Sequence, residues 1–135
     1  MKDDAEPPER VPTKGSKIKR DYSLPDKIKS TYSSRCQICR VKLKAPSGDI
    51  AIGAHIKGLG KPHEGPDKLS NMICLCPNHH AQFDAFSFYI EPTNFEIKCL
   101  DGFEGKKIKI KHKIFGKYFA YHKKIFNEKI VTLKF

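Results

Sequence analysis

Apolar and polar positions are distributed unevenly along this chain. The first twenty residues, MKDDAEPPERVPTKGSKIKR, carry almost no apolar pattern and are rich in Pro, Lys, Asp and Glu. Residues 1–20 therefore read as a flexible basic arm or linker ahead of a folded part spanning 21–135. From Tyr22 to Tyr32, the side chains Leu24, Ile28 and Tyr32 recur at helical spacing with Pro25 near the start, which predicts a short helix leading into RCQIC. After the turn at Ala45-Pro-Ser-Gly, the run DIAIGAHI is apolar and short enough for a buried strand, with His55 at its end. The glycine- and proline-rich stretch KGLGKPHEGPDK must be a loop, NMICLC reads as a second strand, and PNHHAQFDAF as a helix with Pro77 suited to its first turn. Further on, FEIKC and KIKIKHKI alternate apolar with charged residues across DGFEGK and predict a half-buried hairpin. KYFAYHKKIFNEK puts Phe119, His122, Ile125 and Phe126 on one helical face, and IVTLKF offers an edge strand.

Composition narrows what this α+β arrangement can be. With 135 residues, 39% of them apolar and no tryptophan, the chain fits one small domain with a modest core, and a metal or a partner would help hold it. Lys and Arg number 26 against 15 Asp and Glu, a net charge of +11, so a phosphate-rich partner is the leading explanation of the excess. The basic residues are scattered, however, and a well-solvated lysine-rich surface would look similar. No signal peptide or membrane span is present in the pattern, and a soluble cytoplasmic protein is expected.

Five cysteines, at 36, 39, 74, 76 and 99, are an odd number with short spacings, which in a reducing compartment favours metal over disulfides. Cys36 and Cys39 form C-x2-C, and Cys76 with His79 forms C-x2-H beyond the two strands and their loop. Two such pairs suit one tetrahedral Zn2+, a structural zinc that staples the ends of the unit together. Cys74 competes with Cys76, because residues two apart on a strand face the same way, but only Cys76 has the two-residue spacing to His79. Cys74 and Cys99 are then core thiols.

With His79 used on zinc, His80 and Asp84 lie one helical turn apart and can share a hard divalent cation. His55 ends the first strand, and Asn71 precedes the second, where its amide can hold the intervening loop. The residues AHIKGLGKPHEGPDKLSNMICLCPNHHAQFD resemble the HNH endonucleases, whose ββα-metal fold carries a histidine on the first strand, an asparagine in the loop and a metal ligand on the helix. The GLGKPHEGPD loop, CLCPNHHAQFD and the later YFAYHKK segment look more narrowly like the HNH domains of modification-dependent restriction enzymes, often joined to an SRA domain that reads methylated cytosine. The resemblance implies a ββα-metal core at about residues 50–86. His55 would be the general base, Asn71 the residue that orients the loop, and His80 with Asp84 the ligands of a catalytic Mg2+ or Mn2+, with Ni2+ a further candidate. One departure matters: the residue before the base, often a further ligand in the family, is Ala54 here.

Other polar residues have plainer readings. His63 reads as a loop residue without a role and Asp67 as a turn former, while His112 and His122 read as satisfied core histidines. Lys57 and Lys61 flank the exit of the first strand and are placed to reach phosphate. The sequence thus predicts a metal-dependent endonuclease hydrolysing double-stranded DNA, as the cleavage part of a restriction system, with a homodimer where both strands are cut and a separate or fused reader of modified bases. The rival is a zinc-stabilised nucleic-acid-binding module without cleavage. A redox role for Cys36 and Cys39 is disfavoured by their zinc partners.

Overall fold

The computed structural model describes residues 20–99 and 106–132, the side chains of Cys99 and Thr132 excepted. The expectations for the N-terminal arm, the turn at 100–105, the Cys99 thiol and residues 133–135 lie outside that range. Helix α1 (Leu24–Thr31) is followed by strand β1 (Ile52–His55), a single 3-10 turn (Leu69–Asn71), strand β2 (Met72–Leu75) and helix α2 (Pro77–Asp84). A second pair of strands, β3 (Phe88–Ile90) and β4 (Ile97–Cys99), and the long helix α3 (Gly116–Thr132) complete the order. No described helix is long and apolar enough to cross a membrane.

Strands β1 and β2 pair antiparallel with Ile52 opposite Leu75 and His55 opposite Met72. All four residues of β2 are buried because both of its faces are covered, which is why NMICLC reads as an unbroken apolar run. Met72 and Cys74 face α1 and join Leu24, Ile28, Tyr32 and Ala51. Ile73 and Leu75 face the other way, into the larger core with Ile56, Phe83, Phe88, Ile90, Ile97 and Phe119. Helix α1 can lie close on β1 because residue 53 is glycine: a Cβ there would come within 2.7 Å of Ile28 Cγ2 and 3.0 Å of the Pro25 Cα. Buried Gln37 ties the outer edge of β2 to the rest of the molecule, accepting from the Cys74 amide at 2.8 Å and donating to the Lys109 carbonyl at 2.7 Å.

A hairpin and a closing helix follow the ββα unit as expected, and a short strand that the pattern does not show joins the hairpin. Strand β4 pairs with β3, Phe88 opposite Cys99 and Ile90 opposite Ile97. KIKIKHKI meets FEIKC at the bridge of Glu96 with Lys107, where the Ile97 amide reaches the Lys106 carbonyl at 2.7 Å and the Ile108 amide the Phe95 carbonyl at 3.1 Å, and the pairs nearer the turn lie outside the described residues. Its alternation is still used, since Ile108 is buried while Lys107 and Lys109 are exposed. The edge strand expected from IVTLKF is not formed over its described part, because Ile130–Thr132 continue α3.

Two core histidines differ in how they are satisfied. His112 is half-buried and uses both nitrogens, Nε2 donating to the Met72 carbonyl at 2.8 Å and Nδ1 accepting from the Tyr32 hydroxyl at 2.6 Å. His122 is stacked between Phe83 and Phe86 and donates from Nε2 to the Phe83 carbonyl at 2.9 Å, but its buried Nδ1 has no partner among the described residues. Burial, opposed by the Phe83 carbonyl and aided by nearby His63, pushes the His122 imidazole down from 6.5 to about 4. The neutral ring is thus the folded form, so the unfolded chain binds the extra proton as pH falls. Stability from this site is expected to be whole above pH 6.5, to decline between 6.5 and about 4, and to level off below, a loss of about 3 kcal/mol at 1.36 kcal/mol per pH unit. Urea melts of the wild type and His122→Phe at pH 7, 5.5 and 4 check this, since the wild type should lose more than the variant.

Candidate metal centre and catalytic cleft

Two different groups of polar side chains meet at the start of α2. The first is made by a tight turn at 36–39 and by the junction of β2 and α2. Arg40, in a left-handed conformation with φ 67°, reverses the chain so that its amide reaches the Cys36 carbonyl at 2.8 Å. Cys76 is the N-cap of α2, its sulfur accepting from the His79 amide at 3.5 Å, and the Cys36 sulfur accepts from the Ile38 amide at 3.4 Å.

These local turns bring four ligand atoms together, from Cys36, Cys39, Cys76 and His79, all within 4.8 Å of one another. The Cys36 and Cys76 sulfurs lie 3.6 and 3.3 Å from His79 Nδ1, and the Cys39 and Cys76 sulfurs are 3.9 Å apart. Burial holds the His79 imidazole below its ordinary pKa, which favours the neutral, ligating form. The Cys3His set can hold a metal ion. Cys74 stays out of it, in the core beneath α1, where burial and then the neighbouring Cys36 push its thiol up to about 11.

The second group lies in a cleft of about 560 Å3 between α1, β1, the 57–67 loop and α2, lined among others by Asp21, Gly53, His55, Asp67, His80 and Asp84. Helical geometry separates the adjacent histidines of α2. His79 turns into the Cys cluster, while His80 turns to the cleft, its Nε2 3.0 Å from Asp84 Oδ2 one turn on. His55 enters from the end of β1. Its Nε2 donates to Asp67 Oδ1 at 2.7 Å, so the ring proton is held on Nε2 and the lone pair lies on Nδ1. Asp67 Oδ2 in turn accepts from the Asp21 amide at 2.6 Å, tying the chain ahead of α1 to the cleft.

Asn71 lies behind this arrangement, fully buried and fully satisfied. It donates to the Lys57 and Pro66 carbonyls, both at 2.8 Å, and accepts from the Lys57 amide at 2.9 Å, so one side chain clamps both ends of the loop. Within the loop the Gly65 amide reaches the Gly58 carbonyl at 2.6 Å, and a Cβ on residue 65 would fall 2.2 Å from the Lys57 carbonyl oxygen. Glycine is therefore required where the two loop arms touch.

His55, His80 and Asp84 thus share one cleft, with Asn71 holding the loop beneath it. Ala54 lines the cleft without offering a ligand. Asp67, which the sequence marks as a turn former, is the carboxylate partner of His55. Its loop position gives no periodic signal, and only the path imposed by Asn71 and Gly65 brings it there. Lys57 and Lys61 are not among the residues lining the cleft: the Lys57 ammonium lies 4.6 Å from the Tyr121 ring centroid on the α3 side, and Lys61 is exposed. His63, read as a loop residue without a role, bonds through Nδ1 to the Tyr121 hydroxyl at 2.5 Å.

Comparison with known proteins bears on this geometry. Residues 36–91 match the family model described as HNH endonuclease. Among solved structures, a chain described as the modification dependent TagI restriction endonuclease superposes with a TM-score of 0.73 at 33% identity, over 78% of this chain and 38% of that one. The present chain therefore spans well under half the length of that neighbour. No curated protein matches it. The family match opens at the first cysteine of the metal cluster and closes just past β3, taking in the ββα unit with His55, Asp67, His80 and Asp84, and on this ground residues 36–91 are an HNH endonuclease unit, similar to that of a modification-dependent restriction enzyme.

Proposed function

We propose that the chain is a metal-dependent endonuclease that hydrolyses phosphodiester bonds of double-stranded DNA, with modified DNA as its target. The observation that carries this reading is the meeting, in one cleft, of the His55–Asp67 pair from β1 and the loop with the His80–Asp84 pair from α2. The surface of this chain is strongly cationic, yet the cleft collects the carboxylates of Asp21, Asp67 and Asp84. Carboxylates repel phosphate and attract cations, so a phosphate group enters such a cleft together with a metal ion.

His80 Nε2 and Asp84 Oδ2 would hold that ion. Their 3.0 Å separation equals the edge of an octahedron with bonds of about 2.1 Å, which suits Mg2+ or Mn2+ with mixed N and O donors. When bound, a divalent ion stabilises charge on the phosphoryl and departing oxygens. His55 takes the proton of the attacking water on Nδ1, the nitrogen that Asp67 leaves with its lone pair. Asp67 fixes the ring's tautomer and orientation, and Asn71 fixes the loop on which Asp67 stands. The Cys3His cluster serves a different purpose. Zn2+ fits it, because bonds of about 2.3 Å to sulfur and 2.0 Å to nitrogen give tetrahedral edges of about 3.5–3.8 Å, against 3.3, 3.6 and 3.9 Å for the Cys76–His79, Cys36–His79 and Cys39–Cys76 edges, with all four atoms within 4.8 Å.

Recognition of the modified base would come from a separate or fused reader, and cutting both strands would bring two copies of the cleft to one duplex, acting in the cytoplasm where the DNA is. Plasmid cleavage with Mg2+, Mn2+ or Ni2+, on methylated and unmethylated DNA, tests the activity and the target together. Cutting of both substrates at equal rates would remove the modified-DNA part of the reading. Asp67 supplies a sharper prediction: Asp67→Ala should slow cleavage by about 10- to 100-fold, the range for a residue that orients an active-site histidine, and Asp67→Asn, which keeps an acceptor, should lose less. Single-turnover rates on the same plasmid compare them.

A further inference from the structure

Outside the cleft, the loop that carries Asp67 also builds a second feature, which the reaction as described does not use. A groove between this loop and α3 is lined by Lys57, Pro66, Lys117, Tyr118, Tyr121 and Lys124, with no carboxylate among its lining residues. Lys117, Tyr121 and Lys124 follow one another at i, i+4 and i+7, which puts them in one stripe along α3. Lys57 leans across from the loop, its ammonium over the Tyr121 ring at 4.6 Å, and Tyr121 is bonded to His63 of the same loop. A cation–π contact sets the direction of a lysine without neutralising it.

We propose that this stripe is a backbone-binding track for the DNA duplex, holding phosphates that lie beyond the scissile one; it rests on the reading of the chain as a DNA enzyme. Three lysines line one groove, and Lys117 and Lys124, both exposed, are separated along the helix by about 10 Å at 1.5 Å per residue. Measured along the duplex axis, that spacing corresponds to about three steps of 3.4 Å. The track ends where Glu128 appears one turn further along the helix, lining the next surface depression with Lys129. Its register to the cleft is rigid, because Lys57 is the residue whose backbone N–H and C=O Asn71 clamps, two positions after His55. A duplex seated on α3 is thereby indexed to the reacting centre through a single short loop, and the lysines contribute position and affinity without reading sequence.

The test is the salt dependence of DNA binding by the metal-loaded chain, measured by fluorescence anisotropy with a duplex oligonucleotide. Lys117→Ala/Lys124→Ala should lower the slope of log affinity against log salt by about 1.8, at about 0.9 for each phosphate that the variant no longer neutralises. A second pair, Lys107→Ala/Lys109→Ala, removes charge from the other basic groove, beside the Cys36–Cys39 turn, and should leave the slope as in the wild type. Both pairs are exposed, so thermal melts matching the wild type are expected. An unchanged slope in Lys117→Ala/Lys124→Ala, or a fall confined to the Lys107/Lys109 pair, overturns the track. Because the readout is binding, a chain that binds on this face but does not cut DNA would retain the track while the cleavage reading fell, and a chain that binds no DNA would remove both.

Discussion

Cys36→Ser is expected to abolish the cooperative thermal transition and to reduce bound zinc from one ion per chain to none. The four ligands come from two turns far apart in the sequence, 36–39 and 76–79, and between them lies the whole β1–loop–β2 unit. A structural zinc in a small domain supplies roughly 10–16 kcal/mol, comparable with or larger than the roughly 5–15 kcal/mol by which domains are stable at all. Losing one thiolate opens the tetrahedron and frees the 36–39 turn, taking Cys36 and Ile38 out of the core they share with Leu75 and Phe83. A chelator should have the same effect on the wild type, and added Zn2+ should reverse it. Circular dichroism with metal analysis decides: a zinc-free chain that melts as the loaded one does would refute a structural ion here.

The second large effect is on chemistry, with the fold intact. His55→Ala is expected to slow cleavage by about 100- to 10,000-fold, the contribution of a positioned general base, while DNA binding stays close to that of the wild type. His55 is half-buried at the end of a strand, where alanine fits without overpacking, and Asp67 keeps its bond from the Asp21 amide. The loop clamp does not involve the imidazole, because Asn71 bonds to backbone groups of Lys57 and Pro66. A loss of rate with unchanged melting therefore separates the base from the scaffold. His80→Ala should also lose rate, through a missing metal ligand, and higher Mn2+ should restore part of it, whereas no metal concentration should rescue His55→Ala.

Much of this was legible in the residues because local rules and the tertiary outcome agree. The apolar runs ending at His55 and beginning at Met72, the proline opening α2 and the two C-x2-C/H pairs each specify the conformation they adopt. The adjacent histidines divide as a helix requires, one inward and one to the cleft. Where the pattern misled, the signal was absent or pointed elsewhere. Helix α2 stops at Asp84 through Phe86 in a left-handed conformation, φ 58°, with no glycine to announce it. The three-residue strand β3 that follows was accordingly hidden, and with it a further partner of β4. The alternation in KIKIKHKI reports two faces correctly, and its start meets FEIKC at the bridge of Glu96 with Lys107. Ile130 and Val131 favour strands, yet nothing breaks α3 before them. Asp67 could not be found by pattern at all, because its contact with His55 is made through space by an irregular loop.

The central claim is that His55 and the His80–Asp84 pair work on one phosphodiester with a divalent ion. Its most direct measurement is single-turnover cleavage of modified plasmid by folded, zinc-loaded wild type, His55→Ala and His80→Ala, in Mg2+ or Mn2+ and again in EDTA. The wild type should cut only with the ion present, and both variants should bind the plasmid while cutting at least about 100-fold more slowly. A wild type that binds the DNA and cuts nothing with Mg2+, Mn2+ or Ni2+, or a His55→Ala that cuts as fast as the wild type, would contradict the account.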